Sequence, residues 1–159
     1  MMESWAIARA LHVLGVVLWI GGVAMVTLVL LPAVRRLYAE DALTFFEQVE
    51  HGFARQSRWT TVLVGATGFY LMHALGLWHR FADLRYWWIS AMVLVWALFT
   101  LLLFVFEPLF LHRWFSARAR RDPQGTLMLV QNLHRGLLLL SLLTIGGAVA
   151  GAHGVLLFG

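Results

Sequence analysis

The stretch ALHVLGVVLWIGG, residues 10–22, lies inside an apolar run that extends to Val34, and it decides the fold. A helix needs about 20 residues to cross roughly 30 Å of hydrocarbon, and this run is long enough. His12 interrupts the run, and an imidazole is costly in hydrocarbon unless it has a partner or a function. The stretch therefore predicts a membrane-spanning helix that carries a candidate functional side chain.

The composition of the whole chain favours a membrane protein. Of its 159 residues, 61% are hydrophobic and 13% are charged, and the mean hydropathy is +0.78. Soluble domains carry about 25% charged residues. All twelve basic residues are arginines, and cysteine is absent. These absences exclude lysine Schiff bases, disulfides and thiolate ligands. The positive charge flanks apolar runs, so nucleic acid is not an expected partner and membrane lipid is.

Four apolar segments predict four spanning helices, at about residues 5–34, 59–78, 86–112 and 130–157. The predicted fold class is all-α, an integral membrane four-helix bundle that forms a single transmembrane domain over residues 1–159. Between the first two spans, Ala42, Phe46, Val49 and Phe53 recur at helical spacing. This spacing predicts an amphipathic helix on the cytoplasmic surface, and continuity with the second span is left open.

The arginines predict the orientation. One set of loops and span ends carries nine of them: Arg35, Arg36, Arg55, Arg58, Arg113, Arg118, Arg120, Arg121 and Arg135. The other side carries Arg9, Arg80 and Arg85. The positive-inside rule places the arginine-rich side in the cytoplasm, and both termini in the periplasm or exterior. We therefore expect a multi-pass protein of the bacterial inner (plasma) membrane.

Three histidines fall at about the same depth, away from the arginine-rich side: His12, His73 and His153. Histidines on facing helices are the usual axial ligands of haem b. Three residues on the same helical faces are candidates to contact a porphyrin: Gly15, Trp19 and Gly76. The pattern predicts haem iron bound by His12 and by either His73 or His153. The alternative is that the histidines bond between helices, and the glycines, such as the GxxxG pair Gly147 and Gly151, serve helix packing.

The arginine-rich side holds a second set of candidates. His112 ends the third predicted span and His134 begins the fourth, so these two histidines are the candidate ligands of a second haem. Glu107 is the one acid between Tyr86 and His112, and Pro108 follows it, which predicts a kink. We expect Glu107 either to relay protons to a quinone or to pair with an arginine such as Arg58 or Arg135.

The opening stretch resembles the first helix of a superfamily of small polytopic membrane proteins, which includes the copper-resistance protein D family and the HemJ-type protoporphyrinogen oxidases. The matching residues are His12, Trp19, Gly21 and Gly22. HGFARQSRWTTVLVGATGFYL (51–71) is similar to the arginine-led second helix of copper-resistance D relatives, at Arg55, Arg58 and Gly68. LHRGLLLLSLLTIGGAVAGAHG (133–154) also resembles the closing helix of such relatives.

This resemblance covers the whole chain loosely, and its specific part is the first-helix motif. It implies a four-helix fold and, from the HemJ-type branch, haem b bound in part by His12. HemJ-type enzymes use a lysine in a later helix, and this chain has none, so the resemblance does not carry that enzymatic role.

We expect a membrane b-type cytochrome-like protein in electron transfer, which exchanges electrons with quinone or with a periplasmic redox protein. It would act alone, as a homo-oligomer, or as a subunit of a larger respiratory complex. If it is an enzyme, it is a haem-dependent membrane oxidoreductase. Two alternatives come from other classes. One is a copper-resistance or transport protein without haem, in which His12, Met72 and His73 form a metal path. The other is a structural subunit of a membrane complex.

Overall fold

A computed structural model describes residues 2–36 and 39–155, without the side chains of residues 2, 3, 39–51 and 112. The described part is built from helices and turns, which confirms the all-α prediction. The α-helices are α1 (Met2–Met25), α2 (Leu31–Val34), α3 (Ala39–Ala74), α4 (Trp87–Leu101), α5 (His112–Ala119) and α6 (Pro123–Ala152). Wider π-helical segments follow α1 at Val26–Leu30 and α4 at Leu102–Leu111. Two 3₁₀ turns, Leu77–Ala82 and Leu84–Tyr86, connect α3 to α4.

Three continuous helical stretches are long and apolar enough to cross a membrane: Ser4–Val34, Leu84–Leu111 and Pro123–Ala152. They correspond to the predicted first, third and fourth spans. The last begins earlier than predicted because Asp122 caps it. The Asp122 carboxylate accepts the backbone N–H of Gly125, and Pro123 occupies the first turn, where no N–H is needed.

The predicted second span lies within α3, which is 36 residues long and is not among those three stretches. Buried threonines and His73 reduce its apolar content. The helix ends at Ala74, before the predicted end at residue 78, because Gly76 adopts a left-handed conformation with φ 63°. At its other end α3 begins at Ala39, so the segment predicted as a surface helix is continuous with it. The side chains that would form its amphipathic face lie mainly outside the described residues.

Helices α1 and α3 pack side by side in opposite directions. A Cβ on Gly15 would lie 2.8 Å from Val64, and one on Gly22 would lie 2.7 Å from Phe53. Small residues on α1 therefore let α3 approach closely. Two buried clusters form the core. One surrounds Trp19 and includes Val64, Phe99 and Leu138, and the other surrounds Leu31 and Leu127.

Helix α4 packs on α6 through indole rings that cover glycines. A Cβ on Gly147 would lie 2.5 Å from Cζ2 of Trp87, and one on Gly151 would overlap the ring of Trp88. Trp88 is buried. The GxxxG pair therefore serves packing between helices, as the alternative interpretation expected, but it receives aromatic side chains instead of a second backbone.

We expect Gly147→Ala to destabilise the protein and Gly146→Ala to leave it unchanged or slightly more stable. Both substitutions remove a glycine from the interior of α6, so both gain about 1 kcal/mol in helix propensity. A Cβ on Gly146 meets no atom within 4 Å. Gly147→Ala must displace Trp87, and overpacking of this kind costs about 1–3 kcal/mol. Thermal unfolding of the two variants in the same detergent measures the difference. Equal midpoints would contradict the contact with Trp87.

Candidate functional site

His12 is half-buried against α3 and bonds to it through one ring nitrogen. Its Nδ1 lies 3.1 Å from the carbonyl oxygen of Val64 and 3.1 Å from Oγ1 of Thr67. A carbonyl can only accept, so Nδ1 carries the proton that both oxygens share. A Cβ on Gly68 would lie 3.1 Å from Cε1 of His12, so the ring edge rests on the α3 backbone. The neutral ring keeps an Nε2 lone pair, and His12 already serves as a link between two helices.

The other two histidines of the predicted ligand set are differently placed. His73 is exposed on the last turn of α3, and no hydrogen bond of its ring is present in the described part. His153 follows α6 and is also exposed; its Nδ1–H donates to the carbonyl of Val149 over 2.8 Å. Among the side chains that the structure describes, no group of three or more His, Asp or Glu could hold a metal ion. A haem needs only two protein ligands, so ligation by His12 with His73 or His153 stays a prediction.

The residues expected to contact a porphyrin have other neighbours. Gly15 is covered by Val64 and Leu63 of α3. Trp19 is 3% exposed and packs edge-to-face on Phe99 at 4.9 Å. Gly76 lies beyond the end of α3, so it does not share a helical face with His73, contrary to the predicted pattern. A groove of about 400 Å³ lies near His12 between α1 and α3, and none of the three histidines lines it.

A cavity lies in the other half of the bundle, towards the arginine-rich end. It holds about 570 Å³, within the usual range of small-molecule and cofactor sites, about 300–1,000 Å³. Its wall is mainly Leu, Val and Phe from α1, α3, α4, α5, α6 and the two π-helical segments. Polar residues interrupt that wall at six positions: Ser57, Glu107, Ser116, Thr126, Asn132 and His134.

His134 is the one imidazole in the described wall of this cavity. Its Nδ1 lies 2.9 Å from the carbonyl oxygen of Val130, one turn earlier in α6. The same reasoning as for His12 places the proton on Nδ1 and leaves Nε2 as the only free ring nitrogen. A histidine whose Nδ1–H is fixed by a carbonyl is in the state in which histidines bind metals through Nε2. Leu111 and Phe115, which flank His112 in sequence, also line the cavity, whereas the His112 side chain lies outside the described residues.

Arg58 joins α3 to the π-helical segment beside the cavity. One of its terminal nitrogens, Nη2, lies 2.7 Å from Oε2 of Glu107, and its Nε donates to the carbonyl of Leu103 over 3.3 Å. Pro108 explains the second contact. In a π-helix residue i bonds to residue i−5, so Pro108, which has no N–H, leaves the Leu103 carbonyl without its helical donor. The ion pair is one of the two roles expected for Glu107.

The loop between α3 and α4 holds the charges of the opposite end. The Asp83 carboxylate accepts the backbone N–H of Arg85 and pairs with its guanidinium at 2.7 Å. These hydrogen bonds from Arg85 hold the pKa of Asp83 below its usual value. The His79 Nδ1 lies 3.0 Å from the carbonyl of Gly76. Each of these contacts is local to the loop, so we assign the loop a structural role.

The expected cofactor was haem b. The surroundings of His12 and the cavity beside His134 differ in how well they would accommodate it. Around His12 the ring edge rests on α3, the adjacent glycines are covered, and the nearby groove contains no histidine. The cavity provides volume, an apolar wall and a histidine with a free Nε2. The arginine-rich half is therefore the part of the described structure that fits the group, and sequence reasoning had ranked it second.

No family model, no curated protein and no solved structure matches this chain. The fold and the cavity therefore rest on the molecule's own chemistry. What they define is a small all-helical protein with three long apolar helices and an apolar cavity between them.

Proposed function

We propose that the chain is a four-helix protein of the bacterial inner membrane, in which the second half of α3 is the fourth crossing. Supporting this, α3 packs antiparallel along α1 and is the longest helix described. Two of its buried threonines, Thr60 and Thr67, bond to carbonyls of their own helix, which reduces the cost of crossing hydrocarbon. The arginine-rich end would then face the cytoplasm.

We further propose that it is a b-type cytochrome-like electron-transfer protein that binds haem b in the cavity. One observation carries this proposal: His134 lines a 570 Å³ apolar cavity with Nδ1 fixed by Val130 and Nε2 free. His134 would hold the haem iron, and His112 is the candidate second residue that would hold it. When bound, haem b would supply one-electron chemistry that the amino acids lack.

The chain's own residues would prepare that site. The Val130 carbonyl holds the His134 ring in one tautomer and one orientation. The leucines, valines and phenylalanines of the wall exclude water, and a dry, apolar surround is one of the factors that set a haem potential. Arg58 bonds to Glu107 and to the Leu103 carbonyl, both in residues that line the cavity, so it holds this side of the wall in place. The proposed electron partner is membrane quinone or a periplasmic redox protein.

The spectrum of the purified protein tests this function. We expect protein expressed with ample haem to show the alpha band of haem b after reduction with dithionite, at close to one haem per chain. The measurement is a reduced-minus-oxidised spectrum with a haem assay on the same sample. Absence of the band in folded, helical protein would refute the proposal and would favour a transport or structural role.

A further inference from the structure

Three polar side chains in the centre of the bundle have no hydrogen-bond partner. Trp19, Ser57 and Thr61 are 3%, 2% and 1% exposed, and their Nε1, Oγ and Oγ1 atoms have no acceptor or donor among the described residues. Buried polar groups are nearly always paired, and leaving one unpaired costs free energy. Three such atoms in one region therefore need an explanation.

The other buried hydroxyls in the helices show the usual solution. Thr27, Thr60, Thr67, Ser141 and Thr144 each donate to the carbonyl four residues earlier, over 2.6–3.0 Å. This back-bonding is what serine and threonine do when a helix offers no other partner. Ser57 and Thr61 are on the same helix as Thr60 and Thr67 and do not do so. Their hydroxyl oxygens therefore lack the usual partner as well as any other among the described residues.

The three atoms belong to one part of the core. Along the antiparallel pair, Gly15 meets Val64 and Gly22 meets Phe53 and Gln56. Trp19 lies about midway between those glycines, so it is level with about residues 58–60 of α3. Ser57 and Thr61 are one turn apart, about 6 Å along the axis, and they lie on one stripe of α3.

Ser57 connects this region to the cavity, because it also lines the cavity wall. On the α4 side, the Thr61 carbonyl accepts the indole N–H of Trp96 over 2.9 Å, and Trp19 packs on Phe99. The first contact joins α3 to α4 and the second joins α1 to α4, and Phe99 also lines the cavity. The unpaired atoms therefore extend from the cavity wall one turn deeper into the bundle.

We propose that bound water occupies this region, bridges Ser57, Thr61 and Trp19, and extends the cavity into the centre of the bundle. Water fits the chemistry of all three groups. The indole N–H can only donate and needs an acceptor, whereas the two hydroxyls can donate or accept. Buried waters typically make two to four hydrogen bonds to such groups. The water would give a ligand in the cavity a proton donor inside an otherwise apolar core.

Magnetisation transfer from water to indole N–H groups, measured by solid-state NMR in lipid bilayers, tests the proposal. Trp96 is the internal control, because its N–H is bonded to a backbone carbonyl at the same depth. We expect transfer to the Trp19 N–H to be several-fold faster than transfer to that of Trp96. Equal, slow transfer at both indoles would overturn the proposal, with or without haem in the sample, so the result is separate from that of the haem assay.

The variant Thr61→Val tests the bridge itself. If water links Thr61 to Trp19, the substitution slows transfer to Trp19 and lowers the unfolding midpoint by about 2–4 °C, the shift expected from roughly one lost hydrogen bond. If the region is dry, it replaces an unpaired hydroxyl by a methyl of the same shape and raises the midpoint. Thr144→Val, which removes a hydroxyl paired within its own helix, is the matched control. A raised midpoint, or unchanged transfer to Trp19, would overturn the bridge.

Discussion

The His134→Ala variant is expected to lose the reduced alpha band, whereas His12→Ala keeps it. Loss of an outer-shell partner already lowers metal affinity by roughly 10–100-fold, and loss of the ligand itself should cost more. The alanine leaves space at the cavity wall, so added imidazole should restore part of the band in His134→Ala. His12 lies in the other half of the bundle and contacts α3, so its removal should affect stability more than haem content. The haem assay and the reduced spectrum measure both effects.

The pattern of loss across the histidines locates the haem. His112→Ala is expected to lose the band together with His134→Ala, since it is the candidate second ligand. His153→Ala serves as the control, because its exposed ring bonds only to its own helix. If His12→Ala loses the band and His134→Ala retains it, the haem lies at the opposite end of the bundle. The cavity would then hold a molecule other than haem. Circular dichroism of each variant separates haem loss from unfolding.

The long apolar runs could be recognised from sequence because a spanning helix depends only on the length and apolar content of one continuous segment. Twenty consecutive apolar residues have few alternatives to a spanning helix, so Ser4–Val34 and Leu84–Leu111 were predicted to within a few residues. The second predicted span was harder. Its threonines and glycines lower the hydropathy. Thr60 and Thr67 bond to carbonyls of their own helix, Gly68 lies against His12 of α1, and Gly65 lies against Trp96 of α4.

The site was less accessible to sequence reasoning, because small residues near a histidine have two equivalent explanations. Gly15 would suit a porphyrin face, but it equally suits a neighbouring helix, and side chains of α3 cover it. The pattern contains no signal that separates these cases, because the occupant comes from a distant segment. The predicted depths placed His12, His73 and His153 at one level in the membrane. They did not show whether any space lies between the three side chains.

The cavity was missed for a related reason. A cavity is space that side chains do not fill, and it follows from how helices diverge rather than from any residue type. Its one sequence signal was Pro108, which predicts a departure from regular helix. The kink was expected, but the structure has a ten-residue π-helical segment, Leu102–Leu111. Pairing of Glu107 with an arginine was one of two expected roles, whereas the contact of Arg58 with the Leu103 carbonyl depends on the π register and had no sequence signal.

Arg58→Ala is expected to be the most destabilising charge substitution in the described chain, because Arg58 satisfies two groups at once. Its removal leaves the Glu107 carboxylate without a counter-ion and the Leu103 carbonyl without a donor. Breaking a fully buried ion pair costs about 3–5 kcal/mol. The two side chains here are 39% and 29% exposed, so we expect a smaller loss, about 2–3 kcal/mol. At about 2–4 °C per kcal/mol, the unfolding midpoint should fall by roughly 4–12 °C.

Three further variants separate the two contributions of Arg58. Arg55→Ala is the matched control, since Arg55 is an exposed arginine one turn earlier on α3 and should leave the midpoint unchanged. Arg58→Ala combined with Glu107→Gln removes the unpaired charge and should recover part of the loss, but not the part due to the Leu103 carbonyl. Arg58→Lys keeps the charge without the forked geometry, so it should bond to one group and fall between wild type and alanine. Complete recovery in the double variant would mean that the carbonyl contact contributes nothing. The π-helical segment would then have to be stabilised by the packing of its own apolar side chains, and not by the arginine that reaches it from α3.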